Sequence, residues 1–248
     1  MADGAALLAL WDAALPLAPA AREALLAGDE QCVFDGDDGE APSSVGALRH
    51  RLLRRLAQRL GPTLALKSRC PACSDDASFE VSLPRLIDAT TAAPGREHTL
   101  EHESWRMRFR LPAPDDMQAL AHGAEASQDE DTFVRRMLER CVIDATDAGT
   151  PRALAELPAG VLERLSQQMD RLDPAANIAF EVACPACGAT WSAPFDPGSA
   201  LWSLVQRDAE DLLLEIDALA RMYGWSEAEI LAVPPTRRRA YLQLVRGG

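Results

Sequence analysis

A tetrapeptide that occurs twice constrains this chain more than any other feature: Cys70-Pro71-Ala72-Cys73 and Cys184-Pro185-Ala186-Cys187. Four of the six cysteines lie in these copies. Two thiolates separated by two residues can hold one metal ion from a single tight turn. Two such pairs complete the tetrahedral sulfur shell of a structural zinc site. The pairs lie more than a hundred positions apart, so one four-cysteine site would staple distant parts of the chain together. The other arrangement is two incomplete sites that never meet. Gly188 follows the second pair, where a knuckle turn favours left-handed backbone, but Ser74 follows the first.

The flanks read as strands at 63–67, 78–83, 177–183 and 190–195, which places each pair at the tip of a β-hairpin. An amphipathic helix leads into each hairpin (45–60 before 63–83, 158–172 before 177–195), which suggests an internal pseudo-repeat. β-forming flanks argue against a thioredoxin-type site, where the CxxC opens a helix that lowers the thiol pKa. A catalytic zinc needs an open coordination position and a neighbouring acid or base, such as the HxE of the deaminases, and none is visible. A closed structural zinc with Cys70, Cys73, Cys184 and Cys187 as ligands is the expectation.

Composition narrows the class. A chain of 248 residues can bury a core as one elaborate domain or two small ones. There is no run of about 18 apolar residues, so no membrane span is expected. The acidic start, Met1-Ala2-Asp3-Gly4, lacks the basic flank of a secretion signal. Cysteines grouped as CxxC pairs fit a reducing cytoplasm better than a disulfide scaffold. A net charge of −13 opposes a nucleic-acid partner, because phosphate binding needs a basic footprint. Lys67 is the only lysine. The arginine bias reflects either base composition or a use of planar, bidentate contacts at interfaces.

Taken in order, residues 5–27 read as short helices broken by Pro16 and Pro19. The acidic stretch 29–40 reads as a solvated loop; Asp35, Asp37 and Glu40 lack the spacing of a calcium loop. Ser43 or Ser44 caps a helix over 45–60, which Gly61-Pro62 ends. Its Arg49, Arg51, Arg54, Arg55 and Arg59 form either a partner-binding strip or a solvated face paired with the acidic loop. Residues 88–103 read as a loop, and its His98 and His102 are weak metal candidates with no HExxH pattern. Trp105, Met107, Phe109 and Leu111 alternate with Arg106, Arg108 and Arg110 as a half-buried strand. Aromatics among arginines can also mark a single-strand nucleic-acid platform, but here they fall on opposite faces. Residues 123–131 are polar and acidic.

Thr132 is expected to cap a helix through Ala145, with Phe133, Met137, Leu138, Cys141 and Val142 inward and Cys141 as core. Cys32 has no nearby partner in sequence. Pro158 opens the next helix and Pro174 stops it. Val205, Ala209, Leu212, Ile216, Leu219 and Tyr223 mark a long amphipathic helix ended by Gly224. Ser226 and Glu229 form a capping box, with Trp225 poised to staple onto Ile230. Thr236 can cap a last helix bearing Arg237, Arg238, Arg239, Tyr241, Leu242 and Val245. No Ser/His/Asp set, glycine-rich phosphate loop or catalytic carboxylate pair stands out, so no enzyme is expected.

From Thr132 onward the chain resembles the baseplate hub assembly chaperones of T-even-like phages and of phage-tail-like contractile injection systems. The residues that carry this are 133–142, the Cys184-Pro185-Ala186-Cys187-Gly188 knuckle with Trp191 and Phe195-Asp196, and 223–231 followed by Arg237, Arg238, Arg239, Tyr241 and Leu242. The strand 108–112 is similar to the family's central strand. Residues 7–11 and Gly61-Pro62 leading into Cys70 look like the longer members of injection-system clusters. The resemblance implies a non-enzymatic role in building the central hub of a contractile-tail baseplate, with hub or other tail proteins as partners. The combined expectation is an α+β protein, mainly helical, with two CxxC hairpins and a small antiparallel sheet. It has an N-terminal region over 1–93 and a chaperone-like region over 104–248. Trp225, Arg237, Arg238, Arg239 and Tyr241 form either a partner surface or an ordinary packed helical end. A zinc-ribbon protein associated with nucleic acid or transcription is the alternative, and a CxxC oxidoreductase a third reading.

Overall fold

The computed structural model describes residues 4–28, 43–93, 95–122 and 130–247. The acidic stretch with Cys32, Asp35, Asp37 and Glu40 lies outside the described residues, as does most of 123–131. The architecture is α+β. Helices predominate, and three small antiparallel sheets punctuate them. Among the described residues no helix is long and apolar enough to cross a membrane.

The N-terminal helices are α1 (Gly4–Ala14), α2 (Pro19–Gly28) and α3 (Val45–Leu60). Leu48, Leu52 and Leu56 recur on one side of α3 and are buried. Ser44 Oγ accepts from the Ala47 amide at 3.0 Å, which caps the helix. Gly61, at φ 85°, ends it. Three of the arginines of α3 make contacts with other parts of the fold. Arg49 donates to the Ala176 carbonyl at 2.6 Å and lies 3.6 Å from Glu23. Arg55 is buried and donates to the Leu26 carbonyl, and Arg59 pairs with Asp208. These contacts fasten α3 to α2 and to the C-terminal half.

Strands β1 (Thr63–Arg69) and β2 (Asp76–Ser82) pair antiparallel, and helix α4 (Leu83–Ala89) follows with Pro84 in its first turn. Residues 88–103 were expected as loop. The structure instead places the end of α4 and strand β3 (His98–His102) there. His98 and His102 therefore sit on a strand that pairs with β4 (Trp105–Phe109), and His98 packs 5.7 Å from the Phe109 ring. Neither joins a cluster of potential metal ligands among the described residues.

Helix α5 (Pro114–His122) and helix α6 (Glu130–Cys141) pack beside this sheet. Thr132 lies inside α6 rather than capping it. The helix stops at Cys141, and Val142–Asp147 is strand β5, paired with β4. β-Branched Val142, Ile143 and Thr146 suit a pleated surface better than a helix once a neighbouring strand offers hydrogen bonds. A two-residue strand β6 (Thr150–Pro151) closes the four-stranded sheet. Its inner face carries Met107 and Phe109 onto Met137, Leu138 and Cys141, so Cys141 is core as expected.

Asp116, on α5, is buried in that junction. It takes a two-pronged bond from Arg110 at 2.5 and 2.9 Å, another from Arg140 Nε at 3.0 Å, and the Ala113 amide at 2.9 Å. Burial opposes its charge, but these donors win and hold its carboxyl at about 2.

Helix α7 (Ala159–Leu172) leads to β7 (Ala179–Ala183), β8 (Thr190–Pro194) and α8 (Pro197–Tyr223). Helix α8 starts at Pro197, because Asp196 accepts from the Gly198 and Ser199 amides and caps it there. Gly224, in the left-handed region, ends it. The capping box of Ser226 and Glu229 opens α9 (Glu227–Ala232), and α10 (Pro235–Gly247) folds back on α8.

One core cluster joins Leu48, Leu52, Leu56 and Leu83 to Ile178, Phe195, Leu201 and Val205. It crosses the boundary between the regions expected at 1–93 and 104–248. The buried Asp173, just after α7, reinforces this union by accepting from the Gly46 amide at 2.9 Å. A Cβ on Gly46 would lie 1.9 Å from the Asp173 carboxylate, so only glycine permits this approach.

Candidate metal centre

The two CPAC turns share one backbone design. Cys70 N donates to the Asp75 carbonyl at 2.8 Å, and Ser74 N donates to the Cys70 carbonyl at 2.9 Å. Cys184 N donates to the Ala189 carbonyl at 2.8 Å, and Gly188 N donates to the Cys184 carbonyl at 3.0 Å. Both turns need a left-handed residue just after the second cysteine: Ser74 at φ 64° and Gly188 at φ 75°. A side chain in that region costs roughly 1 kcal/mol relative to glycine. Ser74→Gly is therefore expected to stabilise the chain by about 0.5–1 kcal/mol in urea unfolding, and Gly188→Ser to destabilise it by a similar amount.

The turns face each other. Cys70 Sγ lies 3.7 Å from Cys187 Sγ, and Cys73 Sγ lies 3.5 Å from Cys184 Sγ. All four sulfurs lie within 4.8 Å of one another. A disulfide would bring two of them to about 2.05 Å, and none is that close. Metal–sulfur bonds of about 2.3 Å in a tetrahedron set sulfur–sulfur edges of about 3.8 Å. The observed spacing matches that edge. Tetrahedral thiolate shells of this kind suit zinc or iron.

The packing under the site explains why the hairpins meet. Ala77, Val182 and Ala193 form a small buried cluster, with Phe79, Phe180 and Trp191 against it. Phe79 and Phe180 meet edge to face at 5.7 Å. Trp191 Nε1 donates to Ser68 Oγ at 3.1 Å, a bond between the hairpins. Cys70 and Cys184 are buried, whereas Cys73 and Cys187 face outward. The amide of Cys73, assisted by that of Ala72, outweighs burial and holds the Cys70 thiol down to about 7. An Asp75 amide also points at Cys73, yet the thiols of Cys184 and Cys187 push it up to about 12. A metal ion bound by these sulfurs would displace their thiol protons.

Each CxxC lies between two strands rather than at the start of a helix, which is not the setting that activates a redox thiol. The structure thus brings Cys70, Cys73, Cys184 and Cys187 together as one candidate metal site. The five expected partner residues differ in exposure. Arg238 is buried and lies 3.5 Å from Glu215, while Arg237 and Arg239 are exposed. Trp225 and Tyr241 are half-buried and interlock with Tyr223 at centroid distances of 4.9–5.6 Å. Helical spacing alone points to this outcome, since Arg238 lies one turn before the buried Leu242. The Trp191–Ser68 bond has no such signal in the sequence. No protein-family model, no curated protein and no solved structure matches the chain.

Proposed function

We propose that this chain is a non-enzymatic assembly or structural protein of a contractile-tail baseplate hub, acting in the cytoplasm and held in shape by one structural zinc. The observation that carries the zinc is the convergence of four sulfurs, two from each distant hairpin, at tetrahedral spacing. Zinc is the metal for a closed four-thiolate site whose purpose is architecture. In this reading the helix–hairpin units α3–β1–β2 and α7–β7–β8 are an internal pseudo-repeat closed upon the metal. The hub role is supported by the sequence resemblance, above all by the stretch from Tyr223 to Leu231 with its capping box. In the folded chain that stretch joins α8 to α10 through the Tyr223, Trp225 and Tyr241 rings.

The test is co-expression of the tagged chain with the hub and other tail proteins of a contractile system. The expected result is a stoichiometric complex with at least one of them that survives size exclusion. Facing CxxC hairpins also occur in zinc ribbons that bind nucleic acid, which keeps that reading in view. Failure of every tail protein to bind, together with salt-dependent DNA or RNA binding, would favour the ribbon instead.

A further inference from the structure

The two CPAC turns match in their backbone bonds but not in their sequence. Arg69 stands where the second turn has Ala183, Ser74 where it has Gly188, and Asp75 where it has Ala189. Ser74 holds φ 64° without the freedom of a glycine. Arg69 supplies a support that the second turn lacks. Its Nε donates to the Ser74 carbonyl at 3.2 Å. The methyl group of Ala183 has no donor for such a bond, and Gly188 adopts the same conformation unaided.

The Arg69 bond reaches the cysteines through one peptide unit. The Ser74 carbonyl and the Asp75 N–H are the two ends of a planar, trans peptide, so they point in opposite directions. Holding the carbonyl aims the N–H, and that N–H is hydrogen-bonded to Cys73. Cys73 faces outward, where water competes for its sulfur. In the second turn the Ala189 N–H meets Cys187 in the same way. Charge acts in the same direction. Four thiolates outnumber the two charges of a zinc ion, so the filled site is a net anion. Among residues 69–76 Arg69 is the only cation, beside Asp75 and Asp76.

We propose that Arg69 is a positioning residue of the metal centre: it clamps the Ser74–Asp75 peptide so that the N–H stays on the Cys73 sulfur, and so replaces the conformational freedom that glycine provides at 188. Outer partners of this kind orient a ligand and tune its bond to the metal. The proposal rests on the structural-zinc reading, and the experiment separates the two.

Zinc affinity is measured on the purified chain by chelator competition. Cobalt(II) in place of zinc reports the sulfur-to-metal charge-transfer band. Arg69→Ala is expected to weaken zinc about tenfold, the low end for outer-shell partners because Arg69 is exposed. It should also move the cobalt band to longer wavelength, since a thiolate that loses a hydrogen bond gives up charge more readily. A role in folding alone would leave the band in place. In a Ser74→Gly background the same change is expected to cost about threefold or less, because glycine holds the turn by itself. Lys67→Ala removes a cation from the same face of β1 and is expected to change the affinity by less than about twofold. Wild-type affinity and band position in Arg69→Ala overturn the proposal and leave the zinc site standing. Equal losses from Arg69→Ala and Lys67→Ala overturn it in favour of bulk charge. An Arg69→Ala cost that Ser74→Gly does not reduce also overturns it. A wild-type chain that takes up no zinc overturns the zinc reading itself, and the proposal with it.

Discussion

Cys70→Ser or Cys184→Ser will strip the metal from the chain and remove most of its stability. Metal analysis of the wild type is expected to give about one zinc per chain, and of either variant close to none. The loss should exceed the roughly 10–100-fold that outer-shell changes cost a metal site, because a ligand itself is gone. The structural penalty follows from the distance that the site spans. The nearest sulfur pairs join residues 111 and 117 positions apart. Closing so long a loop constrains the unfolded chain by about 4–5 kcal/mol in the chain-entropy model. That is a large share of the roughly 5–15 kcal/mol by which domains are stable. A second contrast isolates the packing. At the buried Cys70 and Cys184 a serine hydroxyl enters the interior with no assured partner, costing about 1–3 kcal/mol more. Cys73→Ser and Cys187→Ser place theirs in water. All four variants should lose zinc, but with chelator present in every sample the inner two should unfold at lower urea than the outer two. A wild type that is fully folded and carries no metal after purification without chelator would sink the metal site outright.

Asp116→Ala is expected to cost about 2–3 kcal/mol, at or below the lower end of the range for breaking a buried ion pair. Arg110 and Arg140 are partly solvated, so water takes over some of their charge once the carboxylate is gone. The pH dependence distinguishes this network from simple packing. Asp116 is held at about 2 in the folded chain against about 3.9 for an unfolded aspartate. A depressed carboxyl contributes stability above the unfolded value and loses it as pH falls through the folded value. That contribution is about 1–2 kcal/mol after allowance for solvent screening. Urea unfolding of the wild type and of Asp116→Ala should therefore differ most at pH 7 and converge between pH 4 and pH 2. A gap of constant size across that range would mean that shape, not charge, matters at this position.

The cysteine pattern could be read in advance because its spacing is chemistry: few arrangements of two CxxC pairs satisfy four sulfurs other than one shared metal. The left-handed Ser74 shows less in its own side chain than in its place after the second cysteine, which it shares with Gly188. The helix of α6 was extrapolated too far because Phe133, Met137 and Cys141 keep helical rhythm up to the residue where the chain turns strand. What decides is β4, which pairs with five of the next six residues. Asp116 left no trace because Pro114-Asp115-Asp116 reads as a turn, and its second arginine is 24 positions away. The arginines of α3 show the same limit. Composition counts them, but only the fold reveals that Arg49 and Arg55 end on backbone carbonyls of other elements.

The separation of the two hairpins also has a schedule attached to it. Ribosomes add about 5–20 residues per second, so the second pair of thiols is made roughly 6–20 s after the first. During that interval Cys70 and Cys73 exist as a half-built nest with no facing partner, and the leucines of α3 lack the Ile178 and Phe195 that cover them. The buried face of α3 is therefore completed only after Phe195 has been made. A metal ion can bridge the four thiols only once the second hairpin has been made.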